Sequence, residues 1–260
     1  MKLFDAEIMS NEEIVVGLRL MWLKAPGIGQ PTPGQFLMVR CGNGIEPLLR
    51  RPLSVHRIGN SAVDGHGAGD LALLYKISGP GTSSLVDKDK GETLDVVGPL
   101  GKGFSVHKES KNLLLIASGW GISPIVCLAD IEVRKGRSIV LLIGAQTLSE
   151  VYPTHLLPTE VEVQIATEDG SLGRQGSAID YVSEFWEWAD EVLCSGPMSM
   201  YRSVADIARN YGFRKRVQAL ADVGMACGIG VCYGCTVWTR QGAKLACKDG
   251  PCFNLRDLVL

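Results

Sequence analysis

The chain has 260 residues, enough for two or three domains, and its 46% hydrophobic and 21% charged content is that of an ordinary folded protein. A formal charge of −2 gives no electrostatic reason to expect nucleic acid or an anionic membrane as partner. No run of about 18 apolar residues occurs, and the start MKLFDAEIMSNEE has no apolar signal core, so a soluble, cytoplasmic protein is expected.

In chain order, FDAEIMS, EEIVVGLRLMWL, GQFLMVRC, LSVHRI, DLALLYKIS and ETLDVVGP are β-rich runs cut by glycine and proline. Six short strands at fairly regular intervals predict a small antiparallel barrel, with a short helix over residues 82–87. From Lys111 the pattern changes. NLLLIAS and SIVLLIGAQ are continuous apolar runs, and GISPIVCLADIEVRKG between them reads as a helix. THLL, VEVQIAT, SAIDYVSEFWEW, DEVLCSG and PMSMYRSVADIARNYG continue the alternation. Buried strands alternating with helices predict βαβ units on a parallel sheet. The expected class is a multidomain α+β chain, divided as a barrel (1–105), an α/β domain (106–215) and a small cysteine-rich domain (216–260). The run Arg214-Lys215-Arg216 reads as a solvated face or linker, with a docking patch as the alternative.

Several turns have the chemistry of ligand sites. In RRPLSV, strand alternation lets Arg51 meet a phosphate while Ser54 meets a ring or backbone edge, although an exposed salt bridge would give the same residues. SGPGTSSL places Gly81 and Thr82 where a glycine turn opens a helix and offers free N–H groups to a pyrophosphate; an ordinary turn capped by Thr82 is the alternative. GPLGKGF is a further glycine turn, read as structural. ASGWGISPI follows an apolar strand and opens a helix, the position of a nucleotide-binding turn, but Pro124 stands where a third glycine would be. GAQTLSE, after the next strand, has no cation for a 2′-phosphate and so tilts the choice to NADH.

Cys227, Cys232, Cys235 and Cys247 read C-x4-C-x2-C-x11-C, whose first two intervals are those of the plant-type ferredoxin ligand run. Four thiolates at this spacing suit the two soft irons of a 2Fe–2S cluster. A structural zinc ion is the alternative, but only Cys232 and Cys235 form a CxxC knuckle. Gly228, Gly230 and Gly234 suit a loop that wraps an anionic group through positive φ and inward N–H groups. Cys41, Cys127 and Cys194 are expected as buried free thiols; Cys252 reads as a packing residue, with a spare ligand or a redox-sensitive thiol as the alternatives. His56, His66, His107 and His155 lie in no nucleophile-and-base motif.

Taken together, RRPLS, LYK followed by GT, GPLG, SGWGISP, SGPMSM and the tail CGIGVCYGCTV with CKDGP resemble the ferredoxin–NADP reductase superfamily over essentially the whole chain. Within it, they are most similar to the electron-transfer subunits of type B, NAD-dependent dihydroorotate dehydrogenases. The resemblance implies an FAD-binding barrel, an NAD-binding α/β domain and a 2Fe–2S domain. Carried over by position, Arg51, Pro52, Leu53 and Ser54 line FAD, Leu74, Tyr75 and Lys76 form the next strand edge against it, and Gly81 and Thr82 hold its pyrophosphate. Gly119, Gly121 and Pro124 flank NADH, and the four tail cysteines ligate the cluster. The resemblance also implies a catalytic dihydroorotate dehydrogenase partner in a two-plus-two heterotetramer, with electrons passing through the cluster and FAD to NAD+ for pyrimidine synthesis and no acid–base residue on this chain. Ser118, Trp120, Ser195 after Cys194, and Cys252 depart from the family pattern. Subunits of sulfhydrogenases, ferredoxin-dependent transhydrogenases and sulfide dehydrogenases share the architecture, but the latter two tend to carry aspartate where Cys227 stands. From another class, a zinc-stabilised, non-enzymatic binding module is the competing reading.

Overall fold

A computed structural model describes residues 2–42, 44, 46–59 and 65–260. The chain forms two compact units. The first takes Met1–Gly103, Val223–Thr236 and Leu245–Pro251; the second takes Phe104–Asp222, Val237–Lys244 and Cys252–Leu260. Among the described residues no helix is long and apolar enough to cross a membrane.

The first unit is built on a closed barrel of strands β1 (Lys2–Val15), β2 (Leu18–Lys24), β3 (Phe36–Val39), β4 (Arg51–Ile58), β5 (Asp70–Lys76) and β6 (Thr93–Leu100), in the order β1-β2-β5-β4-β3-β6. Alternate residues such as Ala6 and Ile8, Met21 and Leu23, Leu37 and Val39, and Leu71 and Leu73 fill its interior, as the two-residue side-chain period requires. Every pairing is antiparallel. The run EEIVVGLRLMWL is not one strand. Val15 faces Leu18 across a two-residue turn in which Gly17 takes φ 75°, so its first half completes a fourteen-residue β1. The expected helix at 82–87 is instead α1 (Pro80–Ser83), because proline fixes an early first turn; residues 84–87 continue as turns. His56 is fully buried, and His66 stacks on Trp22 with ring centroids 3.6 Å apart.

The second unit carries a mixed sheet. Strands β7 (Asn112–Ser118), β8 (Ser138–Ala145), β9 (Val161–Thr167), β10 (Arg174–Gln175), β11 (Glu191–Ser195) and β12 (Arg216–Leu220) run parallel in the order β10-β9-β8-β7-β11-β12. Helices α2 (Ile122–Arg134), α3 (Val182–Trp186) and α4 (Met198–Asn210) follow the alternation read from the sequence. THLL is a short 3-10 turn at Thr154–Leu156, and the first part of SAIDYVSEFWEW is another, at Ala178–Tyr181, with Ser177 and Asp180 closing a capping box. The cysteine-rich tail adds a hairpin of β13 (Thr236–Thr239) and β14 (Gly242–Leu245), a four-residue helix α5 (Ala246–Asp249), and β15 (Cys252–Asn254). That last strand pairs antiparallel with β12 at the sheet edge.

Within the run Arg214–Arg216, Arg214 is exposed, while Lys215 and Arg216 take specific partners. Lys215 donates to the carbonyls of Trp186, Glu187 and Ala189 and so caps the C-terminal end of α3. Arg216 donates to the carbonyl and hydroxyl of Ser105, both at 2.7 Å. It also stands 3.5 Å from Glu191, which is 2% exposed and accepts from the His107 N–H and the Ser110 hydroxyl. Glu191 thus fixes the segment that leads into β7. Replacing it by alanine would strand these donors and is expected to cost about 2–3 kcal/mol, read as a lower denaturant midpoint, with Glu191→Gln less severe.

Candidate functional site

At the barrel, the residues of RRPLS lie half-exposed along the start of β4. Gly81, in α1, explains why a side chain is excluded there: a Cβ would lie 2.6 Å from Arg51 Nε and 3.0 Å from Cζ. The Arg51 guanidinium therefore lies directly over the backbone of the turn, and the two form a cradle suited to a phosphate anion. The Arg51 side chain donates to Leu49 O at 2.7 Å. The turn is tied down by Ser84, whose hydroxyl is 2.5 Å from Cys41 O and 2.9 Å from Gly81 O. The Thr82 hydroxyl accepts from the Ser78 N–H at 2.9 Å instead of capping a helix at residue 82; Gly79 is the N-cap. Burial pushes the Cys41 thiol up to about 11, so it stays protonated beneath this cradle.

The ladder between β4 and β5 stops at Leu73, which leaves the backbone of Leu74, Tyr75 and Lys76 without a strand partner on that side. An unpaired edge of this kind can bond a flat ring. The Tyr75 side chain takes no part, since it is buried in the barrel and donates to Asn11 Oδ1 at 2.9 Å. Leu53, half-buried, packs one side on the barrel core. Asn11 went unnoticed in the sequence. Its amide donates to Leu85 O at 2.8 Å and Lys88 O at 3.0 Å, holding the segment after α1 to β1. No local pattern marks such a long-range contact.

The four tail cysteines all belong to the first unit. They fall into two pairs. Cys235 and Cys247 are buried with their sulfurs 3.3 Å apart. Cys227 interacts with the side chain of Cys232, and both lie nearer the surface. Among the described residues no three or more His, Cys, Asp and Glu side chains gather around a point that would hold a single metal ion. Two thiolate pairs suit a two-iron cluster, which takes two ligands at each iron. The loop supplies the polarity such a cluster needs: the Ile229 N–H points at Cys227 Sγ and the Gly234 N–H at Cys232 Sγ, each at 3.4 Å. Burial acts to raise the Cys227 thiol, but N–H groups from Ile229, Val231 and Cys232 outweigh it and bring it down to about 6. Burial and the neighbouring Cys235 push Cys247 up to about 12.

Gly228 takes φ 70°, and a Cβ there would overlap Met38 of β3 and come within 3.3 Å of Leu100. The loop is pressed against the barrel wall at this point. Gly230 takes φ 83°, but Gly234 does not enter the left-handed region; Tyr233 does, at φ 59°. Its side chain is exposed, so the strain falls on a residue whose ring is free of packing demands.

In the second unit, the strand order reverses between β7 and β11, the place where an open α/β sheet forms its ligand crevice. Gly119–Gly121 form a 3-10 turn after β7. A Cβ on Gly121 would overlap the Ser195 carbonyl, so the turns after β7 and β11 meet backbone to backbone. Gly196 is equally hemmed in, 2.8 Å from Met200 Cε and 3.2 Å from Ser118 Cβ for its missing Cβ. Its N–H donates to the Tyr201 hydroxyl at 2.9 Å, which in turn donates to Leu220 O. Pro124 is buried in the first turn of α2, and Trp120 is exposed on the turn itself. Cys194 is fully buried with its thiol directed at Gln218 O, and Ser195 beside it is buried as well. Burial and nearby Cys194 raise the Cys252 thiol, which makes it an inert packing group. After β8 and β9 the loops carry Glu150, Glu168 and Asp169, while Arg174 is committed to Glu184 at 2.7 Å and to the Tyr181 ring.

Two outcomes test this geometry. In cluster-free protein at pH 7, iodoacetamide is expected to label Cys227 far faster than Cys247, because a thiol near 6 is mostly thiolate and one near 12 is not; the advantage fades as pH falls through about 6, readable by peptide mapping. Gly81→Ala should displace the Arg51 guanidinium and weaken flavin retention by about tenfold or more, measured as bound flavin per chain.

A sequence model of the iron–sulfur cluster binding domain of dihydroorotate dehydrogenase B matches residues 223–259. The chain is 32% identical over 266 residues, covering all of both chains, to the dihydroorotate dehydrogenase B (NAD(+)) electron transfer subunit of Bacillus velezensis. It is 33% identical to the subunit of the same name from Bacillus caldolyticus, over 88% of this chain and 87% of that one. Among solved structures, the NADH-dependent reduced ferredoxin–NADP oxidoreductase, described for flavin-based electron bifurcation, superposes with a TM-score of 0.84 at 26% identity, covering 98% of this chain and 89% of that one. The chain belongs to the family of electron transfer subunits of dihydroorotate dehydrogenase B.

Proposed function

We propose that this chain receives electrons from a catalytic dihydroorotate dehydrogenase subunit and passes them through a 2Fe–2S cluster and FAD to NAD+ in pyrimidine biosynthesis. The observation that carries the reading is the pairing of Cys235 with Cys247 and of Cys227 with Cys232 on one N–H-lined loop, in a chain that matches the family from end to end. FAD exchanges electrons in pairs with nicotinamide and singly with an iron–sulfur cluster, and so joins the two kinds of chemistry.

The chain's own residues bind and orient. Arg51 with the backbone at Gly81 and Thr82 holds the FAD pyrophosphate; Pro52, Leu53 and Ser54 line the flavin, and Leu74, Tyr75 and Lys76 offer it their open backbone edge. Cys227, Cys232, Cys235 and Cys247 ligate the cluster. Gly119, Gly121 and Pro124 flank the dinucleotide, where close contact of two turns leaves room for a ligand's backbone and not for side chains. The acidic loops after β8 and β9 favour a ribose diol over a 2′-phosphate, hence NADH over NADPH. No side chain here acts as acid or base on orotate, whose chemistry falls to the partner. In functional terms the chain divides into an FAD-binding part (1–105), an NAD-binding part (106–215) and a cluster-binding part (216–260). Two such chains with two catalytic subunits, in the cytoplasm, complete the reading.

The chain purified without oxygen is expected to carry flavin and acid-labile sulfide, and to oxidise NADH with an artificial dye while leaving dihydroorotate untouched. Co-expressed with its catalytic partner it should gain dihydroorotate–NAD+ activity, and Cys247→Ser should abolish that activity while sparing NADH–dye turnover. Turnover of dihydroorotate by the isolated chain, or a colourless preparation, would refute the assignment.

A further inference from the structure

The second unit contains a cavity of about 310 Å³ whose lining includes none of the residues assigned above to FAD, the dinucleotide or the cluster. Arg209 reaches it from the last turn of α4, Arg240 from the tip of the β13–β14 hairpin, and Arg256 from the turn after β15. Three guanidinium groups from three separate segments therefore line one cavity, and an anion placed there would be attracted to all of them. The chain as a whole is not basic, with 26 basic and 28 acidic side chains, so this is a local concentration and not a general surface property. Arg209 pairs with Asp206, both well exposed. Among the described residues, Arg240 and Arg256 show no ion pair with a carboxylate.

The backbone that carries two of these groups is held in place. The Arg240 N–H donates to Asp257 O at 2.8 Å, Val259 donates to Trp238 O at 3.0 Å, and Thr239 bridges Leu258, so the segments bearing Arg240 and Arg256 are stitched together by backbone. The Arg256 guanidinium lies 5.1 Å over the Phe213 ring. Phe213 itself has φ 49°, a conformation unusual for a residue branched into a ring. It is the residue that closes α4, donating its N–H to Ala208 O at 2.7 Å. The floor is apolar, formed by Ala205, Leu255 and Leu258. An apolar floor with a few fixed polar groups is the usual make-up of a small-molecule site, and a guanidinium fork matches carboxylate and phosphate oxygens.

We propose that this cavity binds a small anion with a planar ring, the ring lying on the apolar floor beside Phe213 and its carboxylate or phosphate held by Arg240 and Arg256. The site is independent of the electron-transfer reading and stands or falls without it. The test is calorimetric titration of the flavin- and cluster-loaded chain with orotate (a ring carboxylate), uridine 5′-monophosphate (a ring phosphate), benzoate and inorganic phosphate. Saturable binding of a ring-bearing anion, weakened about tenfold or more in Arg240→Ala/Arg256→Ala, supports the site, and the stronger of orotate and the nucleotide identifies the source. Both arginines are exposed, so the double variant should keep its visible spectrum and its NADH–dye turnover. Phe213→Leu provides a second reading: it should weaken the ring-bearing probes and leave phosphate unaffected. Lack of saturation by every probe, equal binding of inorganic phosphate and the ring-bearing probes, or affinity unchanged in the double variant would overturn the proposal.

Discussion

Bringing four thiols together is an electrostatic problem before it is a structural one. Once ionised, sulfurs as close as Cys235 and Cys247 repel strongly, and the protein must offset that with metal charge and with oriented backbone dipoles. The loop from Cys227 to Cys235 is shaped by this demand. Left-handed residues at Gly228, Gly230 and Tyr233 turn successive N–H groups inward, and the depressed Cys227 thiol shows that the field is present in the polypeptide itself. The loop keeps this shape because the barrel wall at Met38 and Leu100 backs it. Barrel and cluster loop are therefore one packing unit, however far apart they lie in the chain.

The same logic of close backbone approach recurs at the other two sites. Gly81 admits the Arg51 guanidinium, and Gly121 admits the Ser195 carbonyl. In each case a methyl group would collide with the group that the glycine admits, so the close approach depends on the missing side chain. The protein contributes contact surface, N–H groups and one fixed cation, and leaves electron chemistry to the groups it binds.

Much of this was legible in the sequence. Alternation gave six barrel strands, continuous apolar runs gave the parallel sheet, and the cysteine spacing singled out the cluster loop. What escaped was set by tertiary context. The break at Gly17 is hidden because strand-forming residues flank it, Ile14, Val15 and Val16 before and Leu18, Leu20 and Trp22 after. Three-residue β15 is too short for a periodic signal, and its pairing with β12 depends on a partner thirty-odd residues away in sequence. Lys215 looks like part of a solvated basic run until its three carbonyl partners are seen. Tyr75 sits in a motif that suggests ring contact, yet strand parity turns its side chain into the barrel. The pairing of cysteines, and the strain at Tyr233 instead of Gly234, belong to the loop's three-dimensional path.

The short β15 has an effect on the order of assembly during translation. The barrel is complete once residue 103 has emerged, whereas the edge of β12 stays bare until the chain beyond Pro251 is available to cover it. All four cysteines of the loop and of α5 are therefore synthesised before that sheet is sealed. A chain terminated within the tail would carry a finished barrel and an adhesive, unpaired edge.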